Sequence, residues 1–156
     1  MNHPEPFTDF HKRWALLTAG TPDHFNSMTI GWGAMGTIWS RSTVTVYVRP
    51  DRYTWNFIKD SEYFTVSLFP EEYRNALTVM GRTSGRDTDK PKEAGLTPVS
   101  CEGCVSYAEA SETYLCRKIY MAQLEYDQCP DYAKAVYQNG IEPHYMIIGE
   151  LISPEF

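Results

Sequence analysis

The alternation of apolar and polar positions predicts a chain built mainly from strands. Runs rich in β-branched and aromatic residues, bounded by glycine, proline or polar turns, lie at 14–19, 43–48, 63–69, 113–126 and 144–152. A glycine-rich strand from residue 26 to 36 and one or two short strands within 97–110 are also predicted. The total is roughly six or seven strands.

Helical signals are fewer and shorter. Residues 54–60 start at Thr54, a good N-cap, and residues 71–80 carry an apolar stripe with Gly81 as the expected C-cap. A further short helix is predicted near 132–137. Because strands and helices do not alternate regularly, the pattern favours a mainly β fold, an antiparallel barrel with helices at its ends, over a parallel sheet.

Length and composition narrow the class of protein. The 156 residues predict one domain over 1–156, in which 1–13 form a loose polar arm or a short helical turn. A net charge of −6 argues against nucleic acid as a partner. No apolar run approaches the roughly 20 residues of a membrane span, and no signal peptide is visible. We therefore expect a cytoplasmic protein with reduced cysteines and no membrane partner.

Residues 31–36 match the pattern G-x-G-x-x-G of dinucleotide-binding folds. Those folds need a helix directly after the glycines, because the pyrophosphate binds at the helix N-terminus. The residues that follow, 37–48, are β-branched and alternating, so they predict a strand. We therefore reject the nicotinamide-binding fold and expect these glycines to let a strand bend or a ligand approach the backbone.

A loop with two arginines follows this strand. No acidic residue occurs from His24 to Pro50 in an otherwise acidic chain, which suggests a site for an anion. Arg49 and Arg52 lie next to Thr54, where the unpaired N–H groups of a helix N-terminus would add to an anion site. The alternative is that both arginines pair with surface carboxylates.

A second polar loop, residues 81–90, has the composition of a phosphate-binding loop, with Arg82, Ser84, Gly85, Arg86 and Lys90. It lacks the G-K-[ST] ending of the nucleoside-triphosphate motif, so no ATPase is predicted. A solvated surface loop is the alternative. Together with the loop at 49–54 and an aromatic share of 14%, it suggests a pocket for a flat ring at one end and a phosphate at the other.

The spacing Cys101-Glu-Gly-Cys104 forms a C-x-x-C motif. A zinc site usually has a second such pair, and a thioredoxin-like motif needs a βαβ setting. Two interpretations stay open, a plain turn that carries two thiols and a thiol or metal sensor. No histidine spacing predicts a metal site. His144 is of interest because it opens the last predicted strand, where a solvent-facing histidine is the alternative.

In their joint order and spacing, seven segments resemble the flavin reductase-like, FMN-binding split-barrel family and its flavoredoxin-like branch. They cover nearly the whole chain: Trp14-Ala-Leu-Leu-Thr-Ala-Gly20, Asn26-Ser-Met-Thr-Ile-Gly-Trp-Gly33, Val46-Tyr-Val-Arg-Pro-Asp-Arg-Tyr-Thr54, Phe64-Thr-Val-Ser67, Ser84-Gly-Arg-Asp-Thr-Asp-Lys90, Gly95-Leu96 and His144-Tyr-Met-Ile-Ile-Gly-Glu150. The resemblance implies an antiparallel Greek-key split β-barrel with a few short peripheral helices. It also implies a homodimer that holds FMN near the subunit interface.

The resemblance assigns roles to individual residues. The ring-binding stretch falls on Asn26, Ser27, Met28, Thr29 and Trp32. The phosphate-binding loops fall on Arg49, Arg52, Tyr53, Thr54, Ser84, Arg86 and Lys90. Candidates for the substrate side of the ring are Trp39 and His144. We expect neither a metal nor a catalytic side chain, because the flavin itself carries the hydride chemistry. The backbone N–H groups of the glycine-rich strand are expected to donate hydrogen bonds to the ring, and Thr29 or Asn26 can add side-chain donors.

The activity that the resemblance implies is an oxidation–reduction reaction. A reduced nicotinamide or a small electron-carrier protein would supply electrons to the flavin, and the sequence does not choose between these donors. The alternatives are a non-catalytic flavin-binding or storage module, and the thiol or metal redox sensor that would use Cys101 and Cys104.

Overall fold

The computed structural model describes residues 7–153. Seven strands form one antiparallel sheet and two more form a separate hairpin. The sheet holds β1 (Ala15–Thr21), β2 (His24–Ile30), β3 (Gly33–Ile38), β4 (Arg41–Val48), β5 (Tyr63–Leu68), β8 (Glu112–Gln123) and β9 (Tyr145–Ser153), and the hairpin pairs β6 (Pro98–Cys101) with β7 (Cys104–Tyr107). This distribution confirms the predicted mainly β fold.

The helices are short, as the sequence predicts. They are α1 (Trp55–Ile58), α2 (Arg74–Arg82), α3 (Lys90–Ala94) and α4 (Asp131–Lys134), together with a single π-helical turn at Asp9–Arg13 and 3₁₀ turns at Glu71–Tyr73 and Tyr126–Gln128. Among residues 7–153, no helix is both long enough and apolar enough to cross a membrane.

The sheet runs in the order β2-β1-β5-β8-β9-β4-β3 and does not close, because β2 and β3 each pair on one side only within the described residues. The 12-residue strand β8 joins the two halves, pairing with β5 and then with β9. Its register with β9 shifts between Lys118 and Tyr120, and such irregularities let a strand bend from one half of a sheet into the other. The arrangement is an antiparallel split β-barrel.

The core fills both faces of β1. One set of side chains, including Leu17, Val46 and Phe64, packs inside the barrel with less than 1% exposure. The adjacent Leu16 points to the other face and packs with Leu77 and Met80 of α2. Because β1 is buried on both faces, its sequence is a continuous apolar run, and α2 is fixed against the sheet next to β2.

Of two predicted helix caps, the C-cap at Gly81 is wrong and the N-cap at Thr54 is confirmed in its position. Gly81 lies inside α2, which continues to Arg82 and has Thr83 as its C-cap. A Cβ atom at Gly81 would come within 3.0 Å of the Cβ atom of Thr29, so this glycine lets the helix approach β2 closely. Thr54 does occupy the N-cap position of α1, but its side chain makes no capping hydrogen bond.

Candidate functional site

Two adjoining cavities lie along β2. The larger, about 340 Å³, is bounded by β2, the loop at 49–54 and the segment at 81–90, and it gathers nine of the predicted cofactor residues: Asn26, Met28, Arg49, Arg52, Tyr53, Thr54, Ser84, Arg86 and Lys90. The smaller, about 150 Å³, is lined by Thr29, Trp32 and His144 among others. Met28 and Arg52 line both cavities, so the two form a single cleft.

A buried hydrogen bond joins the two sides of the larger cavity. The Asn26 amide donates from Nδ2 to Oγ1 of Thr54 at 2.8 Å, and both side chains are buried. Gly85 packs its backbone directly on this pair. A Cβ atom at Gly85 would lie 2.1 Å from Oδ1 of Asn26 and 3.2 Å from the Tyr53 ring. The loop at 83–89 therefore reaches the floor of the cleft only because residue 85 lacks a side chain.

Lys90 is the most deeply placed cation in the cleft. It is 3% exposed, and its ammonium donates to the carbonyl oxygen of Ser27 on β2. Burial, and secondly the charge of Arg52, lower its pKa to about 8. Within residues 7–153, no carboxylate lies within 4.0 Å of this ammonium. A buried cation without a negative partner is costly to a folded protein and is typical of a binding site.

The arginines of the cleft differ in whether they are already paired. Arg49 forms an ion pair with Asp51 at 2.9 Å, as the alternative interpretation of this loop requires. Arg52 has no such pair in the described part of the chain, and burial followed by the charge of Arg49 lowers its pKa. The Arg86 guanidinium lies 4.9 Å from the centre of the Tyr53 ring. Positive charge therefore exceeds negative charge along the cleft walls.

The smaller cavity has an aromatic wall. The Trp32 ring lies 4.8 Å from the His144 ring, centroid to centroid, and Nδ1 of His144 is 2.7 Å from the Tyr137 hydroxyl. Burial, and secondly the positive charge of Arg49, lower the pKa of His144 to about 4. This imidazole is therefore neutral at pH 7 and can offer a neutral hydrogen-bonding group to the cavity.

The expected side-chain donors to a ring are already engaged. Thr29 donates its hydroxyl hydrogen to the carbonyl oxygen of Leu77 in α2, and Asn26 donates to Thr54. In the described chain β2 is an edge strand, so one of its backbone edges has no neighbouring strand. Of the donors that the sequence predicts, the backbone N–H groups along that edge are therefore better placed to bind a ring than the side chains of Thr29 and Asn26.

Two other predicted residues lie elsewhere. The Ser27 hydroxyl turns away from the cleft to bond with Thr18 at 2.6 Å and with Tyr107 at 2.7 Å, so its contribution is the carbonyl that holds Lys90. Trp39 lies in the β3–β4 turn, where its ring faces Tyr120 at 6.5 Å and not the cleft. The structure therefore does not place Trp39 at the substrate side within one chain.

Seven residues that line the two cavities were not predicted as cofactor residues: Ile30, Gly31, Tyr47, Asp51, Gly81, Arg82 and Thr83. Arg82 belongs to the segment at 81–90, whose composition predicts a phosphate-binding loop, although the resemblance assigns it no role. Tyr47 gives no such signal, because it occupies an ordinary alternating position in β4.

The C-x-x-C motif is a tight hairpin turn. Cys101 pairs with Cys104 across the β6–β7 register, and both intervening residues have positive φ, 48° at Glu102 and 85° at Gly103, as in a type I′ turn. Burial raises the pKa of both thiols, which disfavours the reactive thiolate. Within residues 7–153, no three His, Cys, Asp or Glu side chains are grouped to hold a metal. These observations favour the plain turn over a sensor.

A larger cavity, about 420 Å³, lies on the other side of α2. None of the three cations that line it, Lys12, Arg13 and Arg74, is buried. Arg13 pairs with Asp9 at 3.1 Å, and the Arg74 guanidinium covers the Trp14 ring at 3.3 Å and donates to the carbonyl of Lys12. A buried cation, Lys90, distinguishes the cleft along β2, which we therefore take as the functional site.

Three solved structures show the same fold. Flavoredoxin from Methanosarcina acetivorans superposes with a TM-score of 0.70 at 19% identity, covering 90% of this chain and 66% of its own. The FMN-binding protein from Thermus thermophilus has a TM-score of 0.72 at 15% sequence identity, and the match covers 98% of this chain and 77% of that protein. A split barrel protein from Shewanella frigidimarina, described as a flavin reductase, has a TM-score of 0.71 at 14% sequence identity. The match covers 91% of this chain and 65% of that protein. The chain thus spans about two thirds of the flavoredoxin.

The sequence itself identifies the family. No curated protein matches it. Residues 7–151 match the flavin reductase like domain, a range that extends from before β1 into β9 and includes both loops of the cleft. The chain therefore belongs to the flavin reductase-like domain family.

Proposed function

We propose that this protein binds FMN non-covalently in the cleft along β2 and works as a flavin-dependent oxidoreductase. The single observation that carries the proposal is Lys90, a buried cation beside Arg52 with no carboxylate partner among the described residues. A phosphate at this position would supply the missing negative charge. The family, and the FMN-binding protein among the similar structures, support the same cofactor.

The phosphate would lie in the larger cavity. Lys90 and Arg52 would bind it from below, and Ser84 and Arg86 from the loop above. Tyr53 and Thr54 would form the wall at the start of α1, where Thr54 is held by Asn26. Arg49, which is paired with Asp51, would contribute long-range attraction more than a direct contact.

The isoalloxazine ring would lie in the smaller cavity. Met28 and the free edge of β2 would face the ring, with Trp32 and His144 at its side. Bound FMN would supply hydride and one-electron chemistry. The chain would hold the ring, keep a neutral imidazole beside it and restrict access from solvent.

Reconstitution with FMN tests the proposal. We expect the purified protein to be yellow, or to take up FMN with a shift in flavin absorbance, and then to be reduced on stopped-flow mixing with NADH, NADPH or a reduced iron–sulfur carrier. A protein that fails to bind FMN at tens of micromolar would exclude the proposal. Binding without reduction by any of these donors would favour the storage alternative.

We further propose a homodimer. Support comes from two large side chains that stay exposed in the single chain, Trp32 at 52% and Trp39 at 62%, and from the unpaired edges of β2 and β3. A second copy that covered these groups would also enclose the ring. Light scattering of the FMN-loaded protein at micromolar concentration should give twice the mass of one chain, and a monomer that still holds FMN would contradict the proposal.

A further inference from the structure

The cleft carries more positive charge than one flavin phosphate can neutralise. A phosphate monoester has a charge of about −1.5 to −2 at pH 7, which Lys90 and Arg52 together can balance. Arg86, which would add a further contact to this phosphate, and Arg82 also line the larger cavity, and neither has a carboxylate within 4.0 Å in the described residues. Both are exposed, so they lie at the mouth of the cleft and not at its floor.

The mouth is suited to a planar, phosphorylated molecule. Arg86 lies over the Tyr53 ring, so this wall presents stacked flat groups to whatever enters. Arg82 is the last residue of α2, and its guanidinium offers several donors in the fork geometry that matches a phosphate. An acidic carrier protein fits less well, because the chain has a net charge of −6 and would repel it outside the cleft.

We propose that Arg82 is a specificity residue for the electron donor, and that it selects a dinucleotide with an additional ribose phosphate, NADPH over NADH. This inference rests on the proposed function, since the donor must lie next to bound FMN. A dinucleotide with its nicotinamide at the ring end would extend along the cleft toward the mouth, where Arg82 lies. NADPH gives one hydride to FMN and leaves as NADP⁺, and one proton from solvent completes the reduced flavin.

The two nucleotides form a matched pair that differs by one phosphate. For the FMN-loaded wild-type protein, we expect the second-order rate constant of flavin reduction to be about tenfold or more higher with NADPH than with NADH. Arg82→Ala should bring the ratio of the two rate constants close to one. Arg82→Lys, which keeps the charge without the fork, should give an intermediate ratio. Arg41→Ala is the matched control, because Arg41 pairs with Glu150 outside the cleft.

Equilibrium binding gives a second measurement that does not depend on turnover. NADP⁺ should bind the FMN-loaded protein about tenfold more tightly than NAD⁺, and this difference should shrink as salt rises and in Arg82→Ala. A wild-type protein that binds both nucleotides equally, or binds neither, would overturn the inference. So would an Arg82→Ala variant with an unchanged ratio, which would show that Arg82 serves only the C-terminal end of α2. Failure of FMN uptake would instead reject the proposed function.

Discussion

Lys90→Met is expected to lower the affinity for FMN by one to two decades and to leave the affinity for riboflavin nearly unchanged. Riboflavin has the same ring and ribityl chain without the phosphate, so the comparison isolates the phosphate contact. A charge-assisted hydrogen bond contributes roughly 1.5–3 kcal/mol, which is about ten- to hundredfold in affinity. Methionine keeps most of the side-chain volume of the buried lysine. Fluorescence titration of both flavins measures the effect.

The pH dependence should identify the same residue. The pKa of Lys90 is about 8 in the flavin-free protein, and a bound phosphate should raise it. Binding below pH 8 then needs no proton, whereas binding above pH 8 requires proton uptake. The affinity for FMN should therefore be flat from about pH 7 to 8 and should fall as the pH rises further, by up to about tenfold per unit. This decline should be absent for riboflavin and in Lys90→Met.

Two further variants complete the comparison. Arg52→Ala should resemble Lys90→Met, because Arg52 is a partly buried cation close to Lys90 at the phosphate end and has no carboxylate partner in the described residues. Lys59→Met is the control, since Lys59 is an exposed lysine at the end of α1. If the cation variants lose affinity for FMN and riboflavin equally, these side chains support the fold or the ring, and the phosphate lies elsewhere.

Gly85→Ala is the second variant with a large expected effect, a loss of FMN affinity on the order of hundredfold. The added Cβ would meet Oδ1 of Asn26 at 2.1 Å, and Asn26 cannot retreat because it is buried and bonded to Thr54. The loop at 83–89 must then move outward, which separates several contacts from the phosphate at once. Because this loop is at the surface, we expect only a small change in melting temperature.

A double-mutant cycle makes this prediction specific. Asn26→Ala removes the atom that the new Cβ meets, so Gly85→Ala should cost less FMN affinity in the Asn26→Ala background than in wild type. Gly36→Ala is the matched control, since a Cβ at Gly36 meets nothing within 4 Å. Additive losses would show that Gly85 does not act through Asn26. A wild-type affinity in Gly85→Ala would show that the loop does not approach the cofactor.

The fold was largely predictable because its strongest signals are local. The apolar run that forms β1 and the alternating runs that form β4, β5 and β9 are long enough for the local pattern to predict a strand. The ends of the helices were harder to predict from the sequence. Gly81 is typical of a C-cap, yet α2 continues through it, since its closeness to Thr29 matters more than its freedom at a helix end. A tertiary contact between α2 and β2 cannot be predicted from the residues near Gly81 in the sequence.

The site was predictable in its composition but not in its hydrogen bonds. The structure brings Arg52, Arg86 and Lys90 to one cavity, as the resemblance implies. The sequence could not show that Arg49 is already paired with Asp51, or that Thr29 donates to Leu77. Residue type gives the number of donors a side chain has, whereas the fold decides which of them are already used.

The position of β9 in the sheet has a consequence for how the chain is synthesised. β9 lies between β8 and β4, so its pairing with both strands links β2-β1-β5-β8 to β4-β3 within the described sheet. While the ribosome is still adding residues before 145, hairpins can form within each part, but no strand pairing joins the two parts. The edges of β4 and β8 then remain open to mispairing with other nascent chains. We therefore expect the tendency to aggregate during synthesis to be greatest in this interval.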